Sequence, residues 1–163
     1  MRTLDSITLS KYVLALKGPM SHLKLQKLLY YIQAWHLAIL GKPIIEDEFE
    51  AWLHGPVSRK VWDTYKDASV LYNQLSIGGS ERDGVFQEVK KSLSEDQLEL
   101  LDDVLSQYGD KSAYYLESLT HSEDPWLNAR KGLGAEDACE VVIKKEEMKK
   151  YFEARLGEGN EQN

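Results

Sequence analysis

The chain has 163 residues, carries 20 Lys and Arg against 27 Asp and Glu for a formal charge of −7, and is 42% hydrophobic. That length suits one domain with its own core, and the charge balance disfavours a phosphate-binding surface, so nucleic acid is not an expected direct partner. The single cysteine, Cys139, excludes an internal disulfide and a cysteine-rich metal site and points to a reducing compartment.

A first helix is expected over 7–17, capped by Asp5 or Ser6 and stopped by Gly18-Pro19. Asp5 and Lys11 interrupt its apolar patch, which is unlike a secretory leader. No apolar run approaches the roughly 18 residues that span a bilayer. A cytoplasmic protein without membrane partners is therefore expected. A second helix starts after Ser21, a good N-cap, and covers 22–40. Its Leu25, Leu28, Leu29, Ile32, His36 and Ile39 keep i, i+3, i+4, i+7 spacing, while Tyr30, Tyr31, Ala34, Trp35, Leu37 and Ala38 add apolar mass on other faces. A helix apolar nearly all round is buried on most sides, so this one is expected at the centre. Gly41 closes it and Pro43 prevents continuation.

Phe49, Ala51 and Leu53 share one face of an extended run, giving a short strand over 48–53. Gly55 suits an N-cap and Pro56 a first helical position, so a third helix is expected over 57–67, burying Val61, Trp62 and Tyr65. Residues 68–91 contain Gly78-Gly79 and Gly84 and read as the longest loop, with a short helix at 85–90. Ser94 and Gln97 form a capping box. The helix they open buries Leu98, Leu101 and Leu105 and stops at Gly109. Further helices are expected over 112–119 and, with Pro125 near its start, within 121–130. The β-branched 141–143 can pair with 48–53 as a small two-stranded ribbon. A last helix over 145–156 buries Met148, Tyr151 and Phe152, and 157–163 has the composition of a disordered tail. The expected fold is mainly α: one domain over 1–156, a bundle of about six to seven helices around a central helix.

Charge is uneven along the chain. Between Ser94 and Asp124 nine acids face one base, Lys111. Such a face keeps a protein soluble, and it also suits a basic protein partner.

Chemistry has few candidates. His22, His36, His54 and His121 form no H-x-x-x-H or H-E-x-x-H spacing, so no metal or other cofactor is expected. A small metal- or His-dependent hydrolase would have to assemble His54, His121 and a carboxylate through the fold. Cys139 could act as a nucleophile with His54 or His121, but beside β-branched residues it reads as core. No nucleotide-binding or serine-hydrolase motif is present. Trp52, Trp62 and Trp126 lie near proline-led turns, where a tryptophan serves either as core or as a partner anchor.

The run L-K-L-Q-K-L-L-Y-Y, then A-W, a G-x-P break, and E-A-W-x-H-G-P-V closely resembles the Panacea domain, the SocA-like antitoxin or phage-associated GepA-like family. T-H-x-x-x-P-W-x-x-A-R at Thr120–Arg130 matches a second block, and I-x-x-E-x-M-x-x-Y-F at Ile143–Phe152 a third. The resemblance implies a mostly helical, non-enzymatic antitoxin of a toxin-antitoxin system, often prophage-borne and encoded beside its toxin, that neutralises a cognate protein toxin by direct contact. One member of the family instead delivers its toxin to a ClpXP-type protease, which is the alternative reading. Some members add a helix-turn-helix segment, which is not expected here. The expected partner is a toxin, basic and RNA-targeting if the acidic region steers it. The expected contact residues are Trp52, His54, Gly55, Pro56 and Val57 with His121 and Trp126.

Overall fold

A computed structural model describes residues 1–68 and 74–161. In chain order it comprises α1 (Ser6–Lys17), α2 (His22–Leu40), β1 (Phe49–Trp52), β2 (Gly55–Ser58), α3 (Arg59–Tyr65), α4 (Gly79–Ser92), α5 (Glu95–Tyr108), α6 (Ala113–His121), α7 (Asp124–Ala129), β3 (Val142–Ile143) and α8 (Lys145–Glu161). The fold is mainly α with a small antiparallel sheet, as expected, with eight helices among the described residues.

The helix ends follow local chemistry. Asp5 accepts from the Ile7 N–H at 2.7 Å and caps α1. Ser21 caps α2 through the Lys24 N–H, and Gly41, at φ 78°, ends it in the left-handed conformation that glycine adopts without a Cβ clash. Ser94 and Gln97 form the expected capping box. Gln97 also donates to the Arg2 carbonyl at 2.9 Å, tying the N-terminus to α5.

α2 is the central helix, with α1, α3, α5, α6, α8 and β2 packed around it. Leu25, Leu28, Leu29, Tyr30, Tyr31, Ile32 and Ala34 are fully buried. Tyr31 stacks on Tyr108 of α5 at 4.3 Å, and Tyr30 and Tyr31 both meet the edge of Phe152 of α8. Two buried glutamines on α2 reach the main chain of neighbouring segments, and Gln26 Nε2 also lies 3.1 Å from His22 Nε2. Gln33 accepts from the Ile44 and Ile45 N–H groups and donates to the Ile45 carbonyl. Gln26, two turns earlier, accepts from the Ser58 N–H at 2.9 Å and donates to its carbonyl at 3.3 Å. Each offers the flat donor-and-acceptor edge that a neighbouring strand would offer. Ile39, expected in the core, is instead 52% exposed.

Three expectations for the middle of the chain need correction. Among the described residues the ribbon has three strands in the order β2-β1-β3, because Gly55–Ser58 is a strand and not the start of a helix. Pro56 pairs with Ala51. The Ala51 N–H is directed to the Val141 carbonyl at 2.8 Å, on the far side of β1 from β2. Ala51 and Pro56 therefore face each other without exchanging hydrogen bonds, and the N–H that proline lacks would have pointed away from β1. The helix starts two residues later, at Arg59, with Ser58 as its cap on the Val61 N–H. Second, much of the expected loop is helix α4. Its polar face is exposed, while Val85 and Val89 are buried and Phe86 meets Tyr12 edge-on at 5.7 Å. The part of that loop at 69–73 lies outside the described residues. Third, α8 runs to Glu161, past its expected end at Leu156. The stretch read as a tail overlaps it, and residues 162–163 lie outside the described residues.

Candidate functional site

The β1–β2 hairpin brings two separated blocks of the sequence together. Trp52 and Gly55 close the hairpin around Leu53 and His54. Its tip lies against the end of α6 and the short α7. The Trp126 indole N–H donates to the Trp52 carbonyl at 2.9 Å, and the His121 ring stacks on Trp126 at 4.0 Å. Pro125 within the first turn of α7 sets that helix and so aims Trp126 at the hairpin.

Arg130 completes the clamp from the end of α7. Only 4% exposed, it lies over Trp126 at 4.7 Å and donates to the carbonyls of Ala51, Gly134 and Asp137. A buried guanidinium is tolerated because its fork of N–H groups is matched to carbonyl acceptors.

On the outside of the tip, His54 Nδ1 and Glu117 Oε1 are 2.7 Å apart, and His121 Nε2 stands 4.0 Å from the same oxygen. Burial pulls the His121 pKa below its ordinary value, opposed by the Glu117 charge. His54, His121 and a carboxylate are thus neighbours. Among the described residues, however, no group of three His, Cys, Asp or Glu side chains is placed to hold a metal ion.

Beneath the tip lies Lys27 of α2, 1% exposed. Its Nζ has no hydrogen-bond partner among the described residues, and burial lowers its pKa to about 8, with the Glu117 charge acting the other way. Its stem fills the space beside Gly55: a Cβ there would sit 2.4 Å from Lys27 Cε and 3.0 Å from Thr120 Oγ1. Gly55 also has φ 110°, a conformation that L side chains rarely adopt. This buried lysine escaped the sequence reading. Its signal was a cation inside a helix otherwise apolar on nearly every face.

The expected contact residues are therefore neighbours, but most face inward. Gly55, Pro56, Val57 and Trp126 are buried, Trp52 and His121 are half-buried, and the His54 side chain is 56% exposed. Trp52 lies between Arg59, over its ring at 5.3 Å, and Trp62, whose ring stacks on His22. Cys139 is buried, in keeping with its core reading.

A second centre was not anticipated. Glu123, 6% exposed, accepts from the Tyr31 hydroxyl at 2.7 Å. Burial raises its pKa to about 7, against the downward pull of that hydrogen bond and of Arg155. It lines a cavity of about 440 Å³ with Trp35, Tyr108, Lys111, Tyr115 and Arg155.

Known proteins resemble this chain over much of its length. Residues 25–127 match the family described as Antitoxin SocA-like, Panacea domain. Antitoxin SocA of Caulobacter vibrioides (strain NA1000 / CB15N) is 32% identical over 137 residues, covering 80% of this chain and 73% of its own length. No solved structure matches significantly. Among the described residues no helix is long and apolar enough to cross a membrane.

Proposed function

The chain belongs to the SocA-like, Panacea-domain family of antitoxins, and from that premise we propose that it neutralises one cognate protein toxin by binding it directly. The observation that carries this reading is the likeness to Antitoxin SocA along most of the chain. The geometry supports it in a particular way. Trp126 and Arg130 tie the hairpin tip to α7 through main-chain carbonyls, and a pre-ordered support lowers the ordering cost of a contact surface. The accessible remainder of that tip, His54 with the edges of Trp52 and His121, is available to a partner. The acids of α5 give the surface a field that would steer a basic toxin, such as one that acts on RNA, and fix its orientation.

Co-expression with the product of the adjacent gene tests the reading. That product alone should stop growth, and the chain should restore it and co-purify with it as a stable complex. A product harmless alone would end the antitoxin reading. Restoration only while a ClpXP-type protease is active, with the toxin vanishing, would make the chain a delivery adaptor instead.

A further inference from the structure

An open groove of about 850 Å³ runs between α2, α5 and the later part of α8, away from the hairpin tip. Its floor is apolar and includes Trp35 and Ile39 of α2, and Leu156 closes it on the α8 side. Ile39 is 52% exposed although it sits in the most buried helix of the fold. One wall carries Asp96, Glu99 and Asp103, spaced so that they form one row along α5. None of the three is ion-paired among the described residues. Arg155, the base in the lining, lies over the Tyr151 ring of its own helix. Along α5 the groove extends from Asp96 to Gln107, about 16 Å or three helical turns.

We propose that this groove seats a basic amphipathic helix of about three turns from the toxin, with its apolar face on Trp35 and Ile39 and its basic side chains against Asp96, Glu99 and Asp103. The proposal rests on the toxin-binding reading and assigns it a surface. Charge complementarity selects the occupant. Residues 157–163 contain two Glu and no base, so that segment has the wrong sign for an acidic wall. A second copy, at net charge −7, would bring like charge toward it.

The test uses the full chain and, as probe, the product of the adjacent gene. Four forms are compared: wild type, Ile39→Glu, the triple reversal Asp96→Lys with Glu99→Lys and Asp103→Lys, and a reversal on α4, Asp83→Lys with Glu88→Lys. All the altered positions are exposed, and thermal melts establish that each form folds. The expected result is at least tenfold weaker binding for Ile39→Glu and for the triple reversal, with salt sensitivity lost in the latter and wild-type affinity for the α4 reversal. Tight binding by the wild type, unchanged in both groove variants, would overturn the proposal and leave the toxin-binding reading standing. A wild-type dimer dissociated by Ile39→Glu would give the groove to a second copy and also overturn it. If the wild type does not bind the product, the toxin-binding reading fails for that product. A fluorescein-labelled Leu/Lys amphipathic peptide then reads the groove, supporting it if Ile39→Glu weakens binding tenfold and overturning it if affinity is equal.

Discussion

Lys27 and Gly55 share one space: the buried lysine stem occupies the volume that any side chain at position 55 would need. The pair joins the central helix to the hairpin tip at its tightest point.

Gly55→Ala meets two penalties there, a positive φ and a Cβ 2.4 Å from Lys27 Cε. The expected loss is about 2–3 kcal/mol. At this chain length that corresponds to roughly 4–12 °C in melting temperature. A double-mutant cycle with Lys27→Ala checks the origin. Part of the loss should be recovered in the double variant, whereas strict additivity would leave backbone conformation as the whole cause.

Lys27 titrates near 8 in the folded protein, against an ordinary 10.5. Below pH 8 it is charged in both states, and burial of the ammonium costs stability by about 3 kcal/mol. Between about 8 and 10.5 the folded form releases its proton first, so this cost fades and stability rises with pH. Lys27→Met should therefore be more stable than wild type at pH 7 by about 1–3 kcal/mol, with the gap closing by pH 10. Urea unfolding at pH 7, 8, 9 and 10 measures the gap, and a pH-independent difference would contradict the assignment.

Glu123 behaves in the opposite sense. Its folded pKa of about 7 lies above the ordinary 4.5. The unfolded chain ionises first, so stability falls as pH rises from about 4.5 to 7 and the full cost stands above 7. Glu123→Gln keeps an acceptor for the Tyr31 hydroxyl and abolishes the titration. It is expected to match wild type at pH 4.5 and to exceed it by about 1–3 kcal/mol at pH 8. Chemical unfolding at the two pH values decides, and equal stability at pH 8 would show that the carboxylate is well solvated.

Arg130→Lys retains the charge but not the fork of donors that reaches Ala51, Gly134 and Asp137. A cost of about 2–4 kcal/mol is expected, since carbonyls lose partners and the ammonium is buried. Trp126→Phe removes the hydrogen bond to the Trp52 carbonyl and trims the ring that His121 and Arg130 lie against, and should cost about 1–2 kcal/mol. Equal effects of the two substitutions in urea unfolding would mean that the guanidinium adds little to the clamp.

His54→Ala, by contrast, should change stability by no more than about 0.5 kcal/mol, because its contact with Glu117 is exposed. A larger loss in thermal melts would assign that pair a structural role.

What could be read from the sequence was what neighbouring residues settle among themselves. Asp5, Ser21 and the Ser94–Gln97 box bind N–H groups within three residues, and all were legible. The all-round apolar α2 had one reasonable place in the fold. Gly55-Pro56 misled because the same dipeptide suits a helix start and a strand position that exchanges no hydrogen bonds. Only pairing with Ala51 distinguishes them. α4 was obscured because two valines and a half-buried phenylalanine give a weak pattern, and its packing partner Tyr12 lies far away in sequence. The candidate site was legible as a set of neighbours. It was not legible that Trp126 and Arg130 would turn inward to main-chain carbonyls, since such acceptors leave no mark on residue type.

The Gln26–Ser58 pairing also decides how this protein can be approached. One side of its small sheet is occupied by a glutamine amide on α2 and by a proline without an N–H, so the outermost strand offers few free main-chain groups. A partner is hindered from extending the sheet at β2 by strand addition, and an unfolded chain finds little template for aggregation on that edge. Recognition on that flank is left to side chains, which change by substitution without disturbing the backbone that carries them.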